Sequence, residues 1–270
     1  MSRSHDGDCP RCAGSSSAGP PGNIAVPRIS GLGVAELGGD QEVMDRTRVI
    51  NEGWVATGTE LCVGVMTSLS DADFAEPSRL PGWTRAHVIA HIDGNARGLG
   101  NLVTWARTGI ETPMYRSMEQ RNADIEAEAL LPPQELRARL LQSSAQIADG
   151  FNSLREEDLS TQVRTPQGLM MAARGVIWLR AREVMIHAVD LGGDVTFDDL
   201  PDDFLIALTD ELVARRGTQP GHPAIALQAP EHRWDISGEG TPAVVDGTLP
   251  HIAAYVTGRS SREPILPGWL

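Results

Sequence analysis

The 270-residue sequence predicts an α+β chain in which an up-down four-helix bundle, residues 39–194, precedes a small α+β domain, residues 195–270. Two patterns carry this reading. Between Asp40 and Gly193, apolar residues recur at helical spacing through four long segments, separated by connectors bearing Pro and Gly. Beyond Gly193 the texture changes to short β-type runs set between further helical ones. Residues 1–38 fit neither pattern. They are rich in Ser, Gly and Pro without periodicity, and are expected to form a disordered extension.

The first helix is expected from Asp40, where Val43, Val49, Ile50, Trp54, Leu61 and Val65 fall near one face. "SDADFAEPSRLPGW" reads as a loop, and Thr84 as the N-cap of a second long helix, "RAHVIAHIDGNARGLGNLVTWART". A connector then becomes a shorter helix from Met118 to Ala129, ended by Pro132 and Pro133. Pro133 also suits the first turn of the third long helix, "QELRARLLQSSAQIADGFNSL". A polar loop, "REEDLSTQVRTPQG", leads to the fourth, "AARGVIWLRAREVMIHAVDLGG", closed by Gly192 and Gly193. The remainder reads as helix "LPDDFLIALTDELVARR", strands "AIALQA", "HRWDIS" and "AVVDG", and helix "LPHIAAYVTG".

Composition narrows the function. A formal charge of −13 and a pI near 4.9 argue against nucleic acid and against an anionic membrane surface. No apolar run reaches transmembrane length and no apolar stretch follows the early arginine, so a cytoplasmic location is expected. All 23 basic residues are arginine, which excludes Schiff-base and P-loop lysine chemistry. No G-x-S-x-G elbow is present, which disfavours serine hydrolysis. Cys9 and Cys12 form half of a zinc knuckle, but no second pair follows and a closed site needs four ligands, so the tail is expected to be inert. Cys62, in "TELCVGVM", reads as a small buried hydrophobe.

Four side chains stand out as possible metal ligands. His87 and His91 are four apart in "RAHVIAHIDGN", and Glu183 and His187 are four apart in "RAREVMIHAVDLGG". Residues so spaced share one helical face. A His/Glu/His set on two facing helices would leave one position of a tetrahedral ion open, as catalytic zinc sites do. Spacing does not choose between His87 and His91, and the same spacing also suits ordinary hydrogen-bonded histidines.

The segment "LPGWTRAHVIAHIDGNA" resembles the signature of DinB-like bundle proteins, in which a Trp is followed eight positions later by a metal-binding His; from Trp83 that position is His91. "TWARTGIETPMY", "QRNADIEA", "VIWLRAREVMIHAVDLG", "VVDGTLPHIAAYVTGR" and the closing "LPGWL" resemble, in order, the mycothiol-dependent maleylpyruvate isomerases of actinobacteria. The resemblance spans about residues 40 to 270. It implies a DinB-like metal-binding four-helix bundle with zinc, or another divalent metal, on His91, Glu183 and His187, and leaves His87 to packing or support.

The resemblance further implies mycothiol as cofactor and maleylpyruvate as a small-molecule substrate, isomerised to fumarylpyruvate by reversible thiolate addition. Arg121 takes the place of a catalytic arginine, able to fork onto a substrate carboxylate. Asp190 is a candidate to orient His187, Asn95 and Asn122 to touch the cofactor, and Arg259 to reach an anionic substrate. A mycothiol S-transferase and a non-catalytic, metal-stabilised binding bundle are the alternatives, as a monomer or homodimer.

Overall fold

The computed structural model describes residues 48–217 and 223–261, with Pro264 and Leu266, all within one unit, Gly38–Leu270. The expected helix start at Asp40 with Val43, the extension carrying Cys9 and Cys12, and the final "PGWL" lie outside the described residues. The bundle part comprises α1 (Arg48–Ser68), α2 (Arg85–Thr108), α3 (Met118–Glu128), α4 (Pro133–Asn152), the single turn α5 (Glu156–Leu159) and α6 (Arg174–Asp190). Strands β1 (Gln162–Arg164) and β2 (Met170–Ala172) form a hairpin before α6. After α6 come α7 (Asp202–Gly217), β3 (Pro223–Ala229), β4 (His232–Ile236), β5 (Glu239–Asp246) and α8 (Leu249–Val256). The fold is α+β, as the sequence predicts. Among the described residues no helix is long and apolar enough to cross a membrane.

Local sequence explains the ends of the site-bearing helices. Thr84 Oγ1 accepts the His87 backbone N–H, while His87 Nδ1 accepts the Thr84 N–H, so α2 begins with a reciprocal capping box. Its far end closes on Gly109 at φ 70°, whose N–H returns to Trp105 O. Helix α6 stops at a Gly192–Gly193 pair with φ 87° and 72°, conformations that only glycine adopts without strain.

Two expectations are corrected. The segment read as a loop running into a helix holds the β1–β2 hairpin, with Val163 opposite Met171 and a turn closed by Thr165 N–H on Leu169 O. Each strand has three residues, too few to show period-two alternation, although Val163 is fully buried. On α1, Val49 and Ile50 are 77% and 45% exposed, and the buried seam runs through Asn51, Trp54, Val55, Gly58, Cys62, Val65 and Met66. Gly58 explains that register. A Cβ there would lie 2.6 Å from Val184 Cγ2 and 2.9 Å from the Met185 backbone nitrogen, so α1 packs with its bare backbone on α6.

Helix α6 is enclosed by α1 and α2 on the bundle side and by α7 beyond it, and nearly every residue from Gly175 to Asp190 is buried. One hydrophobic cluster runs from Leu102 and Trp178 through Phe204 and Leu208 to Leu227, Val245 and Ile252, so the core is continuous across residue 195. The three-stranded sheet has order β4-β3-β5, with β3 antiparallel to β4 and parallel to β5. Because α6 has no solvent face, its polar side chains must find partners inside. Trp178 Nε1 donates to Glu211 Oε2 at 2.6 Å, and Arg182 pairs with the same carboxylate. The other buried polar groups of α6 build the site.

Candidate metal centre

His91 projects from the second turn of α2, and Glu183 and His187 from successive turns of α6; all three are buried. One ligand atom from each lies within 4.8 Å of the other two. Glu183 Oε2 is 2.9 Å from His91 Nε2 and 3.4 Å from His187 Nε2, and the two imidazoles meet edge-on with centroids 4.6 Å apart. Trp83 packs against His91 at 5.6 Å. His87 is elsewhere: its Nδ1 serves the α2 cap and its Nε2 lies 3.4 Å from Glu126.

The surroundings set the protonation of each group. His187 Nδ1 is 2.9 Å from Asp190 Oδ2, and that carboxylate also receives the Arg259 guanidinium, at 2.8 Å to Oδ2 and 3.2 Å to Oδ1. Arg259 was expected to reach an anionic substrate; it is engaged on Asp190 instead. Burial pushes the His91 imidazole down to about 4, so it is neutral near pH 7. Burial also disfavours the Glu183 carboxylate, but the two imidazoles beside it, His187 and His91, outweigh it and hold the group well below its usual range. For His187, burial is outweighed by Asp190 and Glu183, which hold it above its usual value.

These residues fit a divalent cation. His187 Nε2 is buried and has no hydrogen-bond partner among the described residues, while the Glu183 carboxylate faces it. A lone pair opposed to a buried carboxylate oxygen is unfavourable unless a cation, proton or metal ion, lies between them. Two imidazole nitrogens and one carboxylate oxygen form a donor set suited to zinc or a similar ion, and three protein ligands leave coordination open. The carboxylate behind His187 fixes its tautomer, as such partners commonly do at metal sites.

A cavity of about 460 Å³ opens beside this cluster and reaches it through His91. Its walls come from α2, the connector carrying Met114, Tyr115 and Arg116, and α3 with Arg121. Arg121 is half-buried; one amino group donates to His91 Nδ1 at 2.9 Å and the other to Asn122 Oδ1 at 2.9 Å. Asn122 is exposed and braces Arg121, whereas Asn95 lines the cavity. The Cys62 thiol is sealed in the core, donates to Val184 O, and is pushed up to about 12 by burial. It offers no nucleophile to this cavity.

Residues 55–192 match the profile described as the mycothiol maleylpyruvate isomerase N-terminal domain. Two solved structures are similar over 84% of this chain and 99% of theirs, at 34% identity. Both are crystal structures of the mycothiol-dependent maleylpyruvate isomerase, one a histidine-to-alanine variant, with TM-scores of 0.81 and 0.80. The chain belongs to the mycothiol-dependent maleylpyruvate isomerase family. No curated protein sequence matches it.

Within this isomerase-family fold, two residues near the cavity escaped the sequence reading. Arg180 is wholly buried and donates from Nη1 to Ile92 O at 2.9 Å and to Asn95 Oδ1 at 3.0 Å. Since arginine only donates, Asn95 must present Oδ1 to it, which turns the amide nitrogen away. An arginine inside the apolar run "VIWLRAREVMIHAV" was the available signal. Tyr115, quoted within "TPMY" but given no role, lines the cavity next to Arg121.

Proposed function

We propose that this chain catalyses the mycothiol-dependent cis–trans isomerisation of maleylpyruvate to fumarylpyruvate, with a divalent metal ion, zinc by preference, held by His91, Glu183 and His187. The observation that carries the reading is the buried His187 Nε2, which has no hydrogen bond among the described residues and lies 3.4 Å from Glu183 Oε2, beside a cavity that holds an arginine. Family membership and the 34% identity to solved isomerase structures support the substrate and the thiol.

Isomerisation by this route requires reversible thiol addition to the cis double bond, rotation about the resulting single bond, and thiol loss. When bound, a divalent ion supplies the positive charge that keeps a thiol in its thiolate form at neutral pH. The chain's own residues do the rest. Arg121 presents its guanidinium to a substrate carboxylate and offsets the negative charge that develops on addition. Asp190, steadied by Arg259, holds His187 in the tautomer that offers Nε2. Arg180 holds Asn95 so that its amide nitrogen is left to meet an oxygen in the cavity.

The test is to incubate zinc-loaded protein with mycothiol and maleylpyruvate and separate the products by chromatography. Fumarylpyruvate, formed only when thiol is present, is the expected product. A stable mycothiol adduct with this or another electrophile would make the chain an S-transferase. Neither product would leave a non-catalytic metal-stabilised bundle.

A further inference from the structure

Tyr115 has a hydroxyl that the scheme above leaves unused. The residue sits in the connector between α2 and α3, half-buried, and lines the cavity with His91 and Arg121. Its ring has a dedicated seat on α2. A Cβ at Gly98 would lie 2.8 Å from Tyr115 Cε1 and 3.0 Å from Met114 Cγ, so the ring rests on helix backbone that only glycine leaves bare. The Arg121 guanidinium carbon is 5.8 Å from the ring centroid. The Tyr115 hydroxyl is paired with the Arg121 guanidinium, and because arginine only donates, the phenol oxygen accepts there and keeps its own proton to give.

A phenol placed this way accepts from the cation assigned to the substrate and has a proton left to donate into the cavity. Phenylalanine would fill the same seat, so packing alone does not account for the hydroxyl. Burial, joined by the nearby Glu183 charge, keeps the phenol above its usual pKa, and it stays protonated at neutral pH.

We propose that the Tyr115 hydroxyl is a further catalytic group, donating a hydrogen bond to the substrate oxygen that becomes negatively charged during isomerisation. This rests on the isomerase reading. As sulfur bonds to the alkene carbon next to the carboxylate, the alkene π pair shifts and the conjugated keto oxygen receives the charge as an enolate. Tyr115 and Arg121 together stabilise that oxygen. The proton stays on the phenol, and after rotation the pair returns, the C–S bond breaks and the thiolate leaves. Two donors aimed where charge develops lower the barrier without tightening ground-state binding.

The experiment compares the parent protein with Tyr115→Phe, both zinc-loaded, using mycothiol and maleylpyruvate. Losing one oxyanion donor should lower kcat by about 10²-fold, with KM for maleylpyruvate changed by less than about threefold. Mycothiol affinity by calorimetry, zinc content and the unfolding midpoint should match the parent. Gly98→Ala, which displaces the ring but keeps the hydroxyl, should also reduce kcat. A Tyr115→Phe protein with parental kcat, or with only a raised KM, overturns the proposal. So does a loss of mycothiol affinity beyond about tenfold, which would make Tyr115 a thiol-binding residue. A parent protein that binds zinc and mycothiol yet yields no fumarylpyruvate overturns the isomerase reading, and this proposal with it.

Discussion

Asp190 Oδ2 stands 2.9 Å from His187 Nδ1, and this contact decides which nitrogen of His187 is left to bind a cation. The parent protein should therefore take up one divalent ion per chain, and His187→Ala should lose it. Asp190→Asn should weaken binding by about 10–100-fold, the usual cost of losing a carboxylate behind a histidine ligand. Elemental analysis and chelator competition measure both. Full occupancy in a His91→Ala/Glu183→Ala/His187→Ala variant would refute the site and turn attention to Cys9 and Cys12.

Acid should release the ion through His187 first. His91 is already neutral above about 4 and the Glu183 carboxylate is held ionised, whereas His187 is held above its usual value and keeps its proton longest. A proton competes with the ion below the His187 pKa, so affinity should be flat at higher pH and then fall by about tenfold per unit on acidification. Asp190→Asn removes a charge that raises this pKa, so its break should move to lower pH. Zinc titrations across a pH series decide the matter; a break that moved upward would contradict it.

Arg121 is predicted to act on the transition state more than on the fold. Arg121→Ala should keep zinc and thermal stability while kcat/KM drops by about 10²-fold or more, equivalent to about 3 kcal/mol. Arg121→Lys should recover only part of this, because an ammonium lacks the planar fork. Steady-state turnover at saturating mycothiol, with zinc assayed on the same samples, is the measurement. Near-parental turnover of the alanine variant would reduce Arg121 to a surface residue.

Gly58 and Gly64 occupy the same helix and should respond oppositely to alanine. At Gly58 the added Cβ meets the Met185 backbone nitrogen at 2.9 Å, so relief requires moving α1 or α6, a cost of about 1–3 kcal/mol. Nothing lies within 4 Å of a Cβ at Gly64, and Gly64→Ala should stabilise by about 0.5–1 kcal/mol through helix propensity. Denaturant melts of the two variants give the sign directly. Equal effects would mean that α1 and α6 are not in close backbone contact in solution.

Much of this was readable in the sequence because it is local. The four-residue spacing of Glu183 and His187 places both on one face of α6, and the Thr84 cap and the glycine pair at 192–193 mark helix ends by their own chemistry. What stayed hidden depends on distant partners or on elements too short to show a period. The Arg259 guanidinium travels to a carboxylate 69 positions back in the chain, and no local pattern records that destination. The β1–β2 hairpin has strands of three residues, and the exposure of Val49 and Ile50 follows from where α1 touches α6, not from their own hydrophobicity.

The bond between Arg259 and Asp190 makes a thermodynamic partnership of two segments far apart in the chain. The residue that steadies His187 is itself steadied from just beyond the last turn of α8. An ion that favours the held imidazole must then favour the docked Arg259 to the same degree, since coupling between two events is mutual. Fraying beyond α8, a small event in a chain of this size, thereby becomes a way to loosen the grip on a cation deep in the bundle.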